Sequence, residues 1–290
     1  MDKSFLIVGG DMRQLYLAER LAKNNKVYAM CFDNSKVIPK GVKMIDNPMQ
    51  YSTQHDFIVL PLPASQDGVM ISTPFSRWNI DISMLKNYIR KDGKVLGGKL
   101  KSDMKNMLEG TEVIDYFERE ELNVLNAVPT AEGALQIAME ELPTTIFGSK
   151  ILITGYGRIS KALVRILSGF GAEVTVTARK YSDLAWAEIM GCKAVHISEI
   201  EDKISEYDII FNTVPAVLLD ENKLKLLKED ALVIDLASKP GGVDFETARN
   251  LGIKAVWALS LPGKVAPVKS GEIIAETILN ILRERGLSDE

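Results

Sequence analysis

The feature that most constrains this chain is a pair of glycines set between a strand and a helix. Ile151-Leu152-Ile153-Thr154 is a strand-length apolar run, and Gly155-Tyr156-Gly157-Arg158-Ile159-Ser160 follows it at once. Apolar residues then recur at helical spacing over residues 158–169. A strand turning through G-x-G-x-x-small into a helix is the fingerprint of a dinucleotide-binding βαβ unit. Gly155 serves the tight turn, Gly157 lets the backbone come close to the pyrophosphate, and Ser160 is small enough for helix–strand packing. A helix starting near Arg158 aims its free N–H groups and positive dipole end at the phosphates. Cofactor contacts are therefore expected at Gly155, Tyr156, Gly157, Arg158 and Ile159.

The rest of the chain repeats the alternation. Strands are expected at 4–10, 26–32, 42–45, 56–62, 94–97 and 111–117, then at 150–156, 173–177, 194–197, 208–214, 231–237 and 254–259. Helical spacing is clear at 13–23, 82–90, 102–108, 158–169 and 272–285. This pitch implies βαβ units and parallel sheets. Residues 130–142 read as a helix opened by Thr130 as N-cap, with Glu132 in its acidic first turn and Pro143 as its stop. The broad apolar stripe of that segment suits an interdomain helix. The expected fold is α/β, with two open parallel-sheet domains and an active-site cleft between them. An N-terminal substrate domain covers 1–128 and is joined by the C-terminal helix 272–290. The interdomain helix and a Rossmann dinucleotide-binding domain cover 129–271.

Composition narrows the function classes. A net charge of −4 gives no broad electrostatic grip on nucleic acid or an anionic membrane, so an anionic ligand needs a local site. The longest apolar runs are strand-sized, and the start of the chain is too short for a signal peptide, so a cytoplasmic protein is expected. Cys31 and Cys192 are solitary and the two histidines, His55 and His196, stand far apart, which disfavours disulfides and a metal site.

The end of the strand after the glycines bears on the cofactor. An NAD site places Asp or Glu about 20 residues beyond the glycines to hold the ribose 2′-OH. Here Val174-Thr175-Val176-Thr177 runs into Ala178-Arg179-Lys180, and no carboxylate comes before Asp183. Arg179 and Lys180 can neutralise a 2′-phosphate, so NADP is expected over NAD. Ligands in such sheets sit beyond the carboxyl ends of the strands. Asn212, Thr213, Val214 and Ser238 fall at two later strand ends and are expected to line the cofactor site.

Four blocks carry a family resemblance: IVGGDMRQ at 7–14, NAVPTAEGALQIAM at 126–139, ILITGYGRIS at 151–160 and LSLPGKVAPVKSG at 259–271. Together they resemble the A subunit of dipicolinate synthase. The resemblance implies oxidation of a dihydrodipicolinate to dipicolinate with a nicotinamide cofactor, in the mother-cell cytoplasm of a sporulating bacterium. It implies the flavoprotein-like B subunit of that synthase as partner, and a homo-oligomer is expected. It also implies the architecture of D-2-hydroxyacid dehydrogenases, a flavodoxin-like N-terminal domain followed by a Rossmann domain. Those dehydrogenases carry a His acid/base after a late strand, where this chain has Ser260-Leu261-Pro262-Gly263-Lys264. Reducing a ketone needs a proton donor at oxygen, whereas oxidising a dihydropyridine is driven by aromatisation.

A dicarboxylate substrate calls for cations and helix N-termini. Arg13 near the start of the first helix and Lys264 in the late loop are the candidate carboxylate ligands, with Asp11 as the alternative partner of Arg13. Thr130 and Glu132 complete the candidate catalytic set; Glu132 either accepts a ring proton or caps its helix. Two other functions stay open: a 2-oxo, 2-hydroxy or amino acid dehydrogenase, and a non-catalytic NADP-binding subunit that docks a flavoprotein.

Overall fold

The computed structural model of the protein describes residues 3–287. The chain divides into two units, one of residues 1–125 and 266–290, the other of residues 126–265. The first unit holds β1 (Ser4–Val8), α1 (Met12–Leu21), β2 (Lys26–Met30), β3 (Val42–Ile45), β4 (His55–Val59), β5 (Ile89–Gly97), α2 (Ser102–Met107) and β6 (Glu112–Asp115). Helix α3 (Glu120–Glu141) begins in it and runs into the second unit.

The second unit continues with β7 (Lys150–Thr154), α4 (Arg158–Gly169), β8 (Glu173–Ala178), α5 (Tyr181–Ile189), β9 (Lys193–His196) and β10 (Ile209–Asn212). It closes with α6 (Glu221–Leu224), β11 (Leu232–Asp235), α7 (Phe245–Asn250), β12 (Lys254–Trp257) and α8 (Leu261–Val265). The chain then returns to the first unit as α9 (Pro267–Glu284). Residues 288–290 of the expected C-terminal helix lie outside the described residues.

Both sheets are six-stranded and parallel throughout, in the orders β3-β2-β1-β4-β5-β6 and β12-β11-β10-β7-β8-β9. Counted from its own first strand, each has the doubly wound order 3-2-1-4-5-6. Leaving out edge strand β3 reduces the first sheet to the flavodoxin order, so the flavodoxin-like expectation holds with one strand added. The order reverses between β1 and β4 in one sheet and between β7 and β10 in the other. Ligand crevices in such sheets open at these points.

Each sheet is buried on both faces, which is why its strands read as unbroken apolar runs. In the first unit, Phe5, Ile7, Leu15, Leu17 and Phe57 pack with Ile274, Ile278 and Leu282 of α9. The α1–α9 approach is close: a Cβ on Gly271 would lie 2.4 Å from the carbonyl oxygen of Arg13. In the second unit, Ile151, Ile153, Leu163, Val176 and Phe211 form one core layer, and Leu152, Ile210 and Val233 face the other.

Several expected elements differ. Residues 82–90 form only a 3-10 turn (Ile82–Asn87), and β5 starts at Ile89, ahead of the polar Arg90-Lys91-Asp92. The helix expected from Thr130 begins ten residues earlier, at Glu120, and passes through Pro129. A mid-helix proline forfeits one backbone hydrogen bond and does not always end the helix. Thr130 is therefore not an N-cap; its hydroxyl donates back to the Asn126 carbonyl at 2.8 Å, the bond a helical Thr makes within its own helix.

His55 opens β4 fully buried, with Ser4 Oγ 2.7 Å from Nδ1 and the Tyr51 hydroxyl 2.8 Å from Nε2. Burial, assisted by the nearby Arg90 guanidinium, holds its imidazole down at about 4, against 6.5 when free. As pH falls from 6.5 toward 4, the unfolded chain takes up this proton and the folded chain resists it. Folding is then expected to lose roughly 3 kcal/mol through this group. Denaturant unfolding of wild type and His55→Gln at pH 7.5 and pH 4 measures it: the stability gap between the two proteins should shrink by that amount, and a constant gap contradicts it.

Candidate functional site: a dinucleotide edge on the second sheet

The local sequence explains the turn after β7. Gly155 has φ +80°, a conformation L side chains rarely adopt, and its N–H donates to the Thr177 carbonyl at 2.7 Å. A Cβ there would meet Thr213 Oγ1 at 3.0 Å and Val214 Cγ2 at 3.1 Å, so the turn lies against the end of β10 at the reversal point. Gly157 is different. It caps α4 with extended backbone and no side-chain cap bond, and a Cβ on it would meet nothing within 4 Å. An open approach to a helix start that no N-cap side chain covers is the shape a pyrophosphate requires. The residues present fit a dinucleotide.

The first unit opens with glycines too, but its turn is filled. A Cβ on Gly9 would meet the Ser72 carbonyl and Thr73 Cγ2, each at 2.7 Å, and the Asp11 side chain caps α1. Only the second of these two glycine turns is open to a phosphate.

Tyr156 is buried beneath the turn, with its hydroxyl 3.4 Å from the Trp186 carbonyl and Lys161 over its ring; burial raises its pKa. Arg158 and Ile159 form the first turn of α4. Ser160 Oγ lies 3.0 Å from Thr213 Oγ1, and the Thr213 hydroxyl donates to the Thr154 carbonyl at 2.7 Å. At the end of β8, Arg179 and Lys180 are both exposed. Lys180 is not in an open loop as expected, because α5 begins at the next residue and Lys180 is its N-cap residue. Asp183 lies in the first turn of that helix. His196 lies beside this strand end, 3.2 Å from the Arg179 carbonyl and stacked on Tyr181.

One cluster was not visible in the spacing of the sequence. Thr154, Asn212 and Asp235 are in-register neighbours at the ends of β7, β10 and β11. Thr154 Oγ1 donates to Asn212 Oδ1 at 2.5 Å, and Asn212 Nδ2 donates to Asp235 Oδ1 at 2.7 Å. Asp235 also accepts from the backbone N–H groups of Ala237 (3.0 Å) and Gly242 (2.8 Å). Ser238 is exposed on the loop so held.

Of the four candidate substrate residues, Arg13 lies in the first unit and Thr130, Glu132 and Lys264 in the second. Arg13 is a clamp inside the first unit: its Nε and Nη2 hold Asp11, and Nη2 also donates to the Leu62 carbonyl at 2.7 Å, leaving the side chain 11% exposed. Thr130 is tied within α3. Glu132 lies mid-helix, not in a first turn, and lines a groove of about 580 Å³ with Leu135, Met139, Ile166 and Phe170. Ile166 and Phe170 belong to the far end of α4 from the glycines. Lys264 is not in a loop. It is exposed on the short helix α8, whose Leu261 and Val265 would each lie 3.1 Å from a Cβ on Gly133.

A second concavity, about 460 Å³, is lined by Lys150, Glu173 and Lys193. These are the first residues of β7, β8 and β9, so it lies at the sheet edge opposite the glycine turn. Among the described residues no group of three His, Cys, Asp or Glu is placed to hold a metal ion, and no helix is long and apolar enough to cross a membrane.

Residues 4–117 match the N-terminal domain of the dipicolinate synthase A subunit, and residues 128–241 match the D-isomer specific 2-hydroxyacid dehydrogenase NAD binding domain. The chain is 31% identical over 285 residues to the dipicolinate synthase A subunit of Bacillus subtilis, covering 96% of this chain and 95% of that one. It belongs to the family of dipicolinate synthase A subunits. Solved members from Bacillus halodurans (31% identity, 97% of each chain, TM-score 0.87) and Bacillus subtilis (30% identity, 98% of this chain and 97% of that one, TM-score 0.86) share its fold. With the family and the NAD-binding domain in hand, the chain is a nicotinamide-dinucleotide-dependent oxidoreductase.

Proposed function

We propose that this chain oxidises a dihydrodipicolinate to dipicolinate with NADP as acceptor, as the A subunit of a two-subunit synthase whose B subunit is flavoprotein-like. The near full-length match to the Bacillus subtilis protein carries this reading. The bound nicotinamide supplies the hydride acceptor. The substrate ring loses one hydride and one proton and becomes aromatic, so orienting the ring is the main task left to the protein.

The positions of the chain's two histidines do not suit ketone reduction. His55 is buried at the start of β4, and His196 is bound to Ser198 and the Arg179 carbonyl. Neither follows a late strand, where a proton donor to a 2-oxo acid would be needed. As separate candidate ligands for a substrate carboxylate we propose Arg13 in the first unit, through the Nη1 nitrogen left beyond its Asp11 clamp, and Lys264 in the second. Thr130 and Glu132 receive no role.

The cofactor half of the reading rests on Arg179 and Lys180, two exposed cations where an NAD site would carry a carboxylate. Tyr156, Arg158 and Ile159 are proposed along the pyrophosphate, with Asn212, Thr213, Val214 and Ser238 toward the nicotinamide. Arg179→Asp should cost on the order of 2–4 kcal/mol in NADP⁺ affinity and much less in NAD⁺ affinity. Calorimetric titration of both cofactors decides it. An unchanged NADP⁺/NAD⁺ affinity ratio would put the 2′-phosphate elsewhere.

The reaction is tested by supplying enzymatically generated dihydrodipicolinate and NADP⁺ to the purified chain, with and without the B subunit. Faster turnover of a 2-oxo acid with NADPH would replace this reading by a 2-hydroxyacid dehydrogenase, the activity class of the matched NAD binding domain.

A further inference from the structure

Asp235 is a fully buried carboxylate at the dinucleotide edge, and the proposed reaction gives it no part. It is 0% exposed, between the buried Ile234 and Leu236 at the end of β11. Each hydrogen bond found on it is an N–H donating to it: Asn212 Nδ2 and Ala237 N to Oδ1, Gly242 N to Oδ2. Both carboxylate oxygens accept from N–H groups, the solvation that suits a carboxylate rather than a carboxylic acid with a proton of its own to donate. All three partners are neutral. The row of Thr154, Asn212 and Asp235 therefore ends in a negative charge that its hydrogen-bond partners solvate but do not cancel.

Position gives that charge a consequence. In a doubly wound sheet each half serves one mononucleotide, with the dinucleotide crossing at the reversal point. Arg179 at the end of β8 marks the adenosine half, which leaves β10 and β11 for the nicotinamide. The nicotinamide ring is a cation when oxidised and neutral when reduced. We infer that the Asp235 carboxylate makes this site prefer the oxidised cofactor, favouring loading of NADP⁺ and release of NADPH.

Such a preference works against hydride transfer on the protein, since the form that gives up its positive charge is the one stabilised. Aromatisation of the substrate ring supplies the drive that makes this tolerable. The inference rests on the cofactor reading above, and it concerns charge, not the clamp that Asp235 makes on the loop of residues 237–242.

Calorimetric titration with NADP⁺ and with NADPH, without substrate, separates the two. At an effective dielectric constant of about 20, loss of a unit charge about 12 Å away changes affinity by roughly tenfold. Asp235→Asn should weaken NADP⁺ by about that factor and leave NADPH within about twofold. Thr154→Val, which opens the same row but keeps the charge, should leave the NADP⁺/NADPH affinity ratio unchanged. Equal weakening of both forms by Asp235→Asn, or a shifted ratio in Thr154→Val, overturns the inference and makes Asp235 a loop clamp alone. Should Asp235→Asn not melt cooperatively, the wild type decides: it must hold NADP⁺ tighter than NADPH, and the reverse order overturns the inference. Wild-type protein that binds neither form overturns the cofactor reading itself.

Discussion

Gly157→Val is expected to lose NADP⁺ affinity by roughly a hundredfold or more while leaving the fold intact. The size follows from losing the close approach of a charged pyrophosphate to the first N–H groups of α4. Each hydrogen bond to a charged group contributes roughly 1.5–3 kcal/mol, and every 1.4 kcal/mol is tenfold in affinity. The cleanness of the variant follows from the turn itself. Gly157 has a backbone conformation open to any residue, and a Cβ there meets no protein atom within 4 Å. Its neighbour Gly155 offers no such test, because φ +80° and the nearby Thr213 and Val214 side chains would strain any larger residue. Calorimetry with a melting curve measures both halves of the expectation. Retained micromolar binding with an unchanged melt would mean the pyrophosphate does not cross this turn.

Gly271→Val should give the opposite pattern, a weaker fold with little change in the glycine turn of the second unit. Helix α9 approaches α1 so closely that a Cβ on Gly271 would lie 2.4 Å from the Arg13 carbonyl oxygen, 2.9 Å from Tyr16 Cβ and 3.0 Å from Leu17 N. Backbone atoms cannot rotate aside, so the helices must separate and Ile274, Ile278 and Leu282 must repack. Overpacking of this kind costs on the order of 3 kcal/mol, or roughly 6–12 °C in the melting temperature of a unit this size. A thermal melt unchanged to within a degree or two would show that α9 does not seat on α1 as described.

What was legible in the sequence is what is written locally. The β7–α4 turn is one such feature, since strand, glycines and helix lie within twenty consecutive residues. The helix bounds 158–169 and the strand at 42–45 also follow from short-range periodicity. Helix α5 was missed because Tyr181, Trp186 and Ile189 are apolar yet exposed, so its sequence lacks a polar face to alternate with the buried one. The first half of α3 was missed because Pro129 reads as a boundary, although a helix packed along its length outlasts one lost hydrogen bond.

The candidate site divides along the same line. The residues of the glycine turn are contiguous in sequence, as are Arg179 and Lys180 at the β8 end, and both sets fall on one sheet edge. The row of Thr154, Asn212 and Asp235 is assembled from three strands 58 and 23 residues apart, and only strand register brings it together. Arg13 shows the reverse failure. Its place beside a helix N-terminus is legible, but its bidentate hold on Asp11 depends on side-chain geometry that the sequence left open as an alternative.

The reaction proposed for this chain is hydride transfer from a dihydrodipicolinate to NADP⁺. Its most direct test is to mix purified chain, dihydrodipicolinate freshly generated by its upstream enzyme, and NADP⁺, adding the B subunit in a second series. NADPH and dipicolinate are followed together by their separate absorbances, and Gly157→Val serves as the matched control. Both products are expected to rise in equal amounts, with wild type and not with the control. Dipicolinate that forms at the uncatalysed rate with no NADPH, in both series, would contradict it.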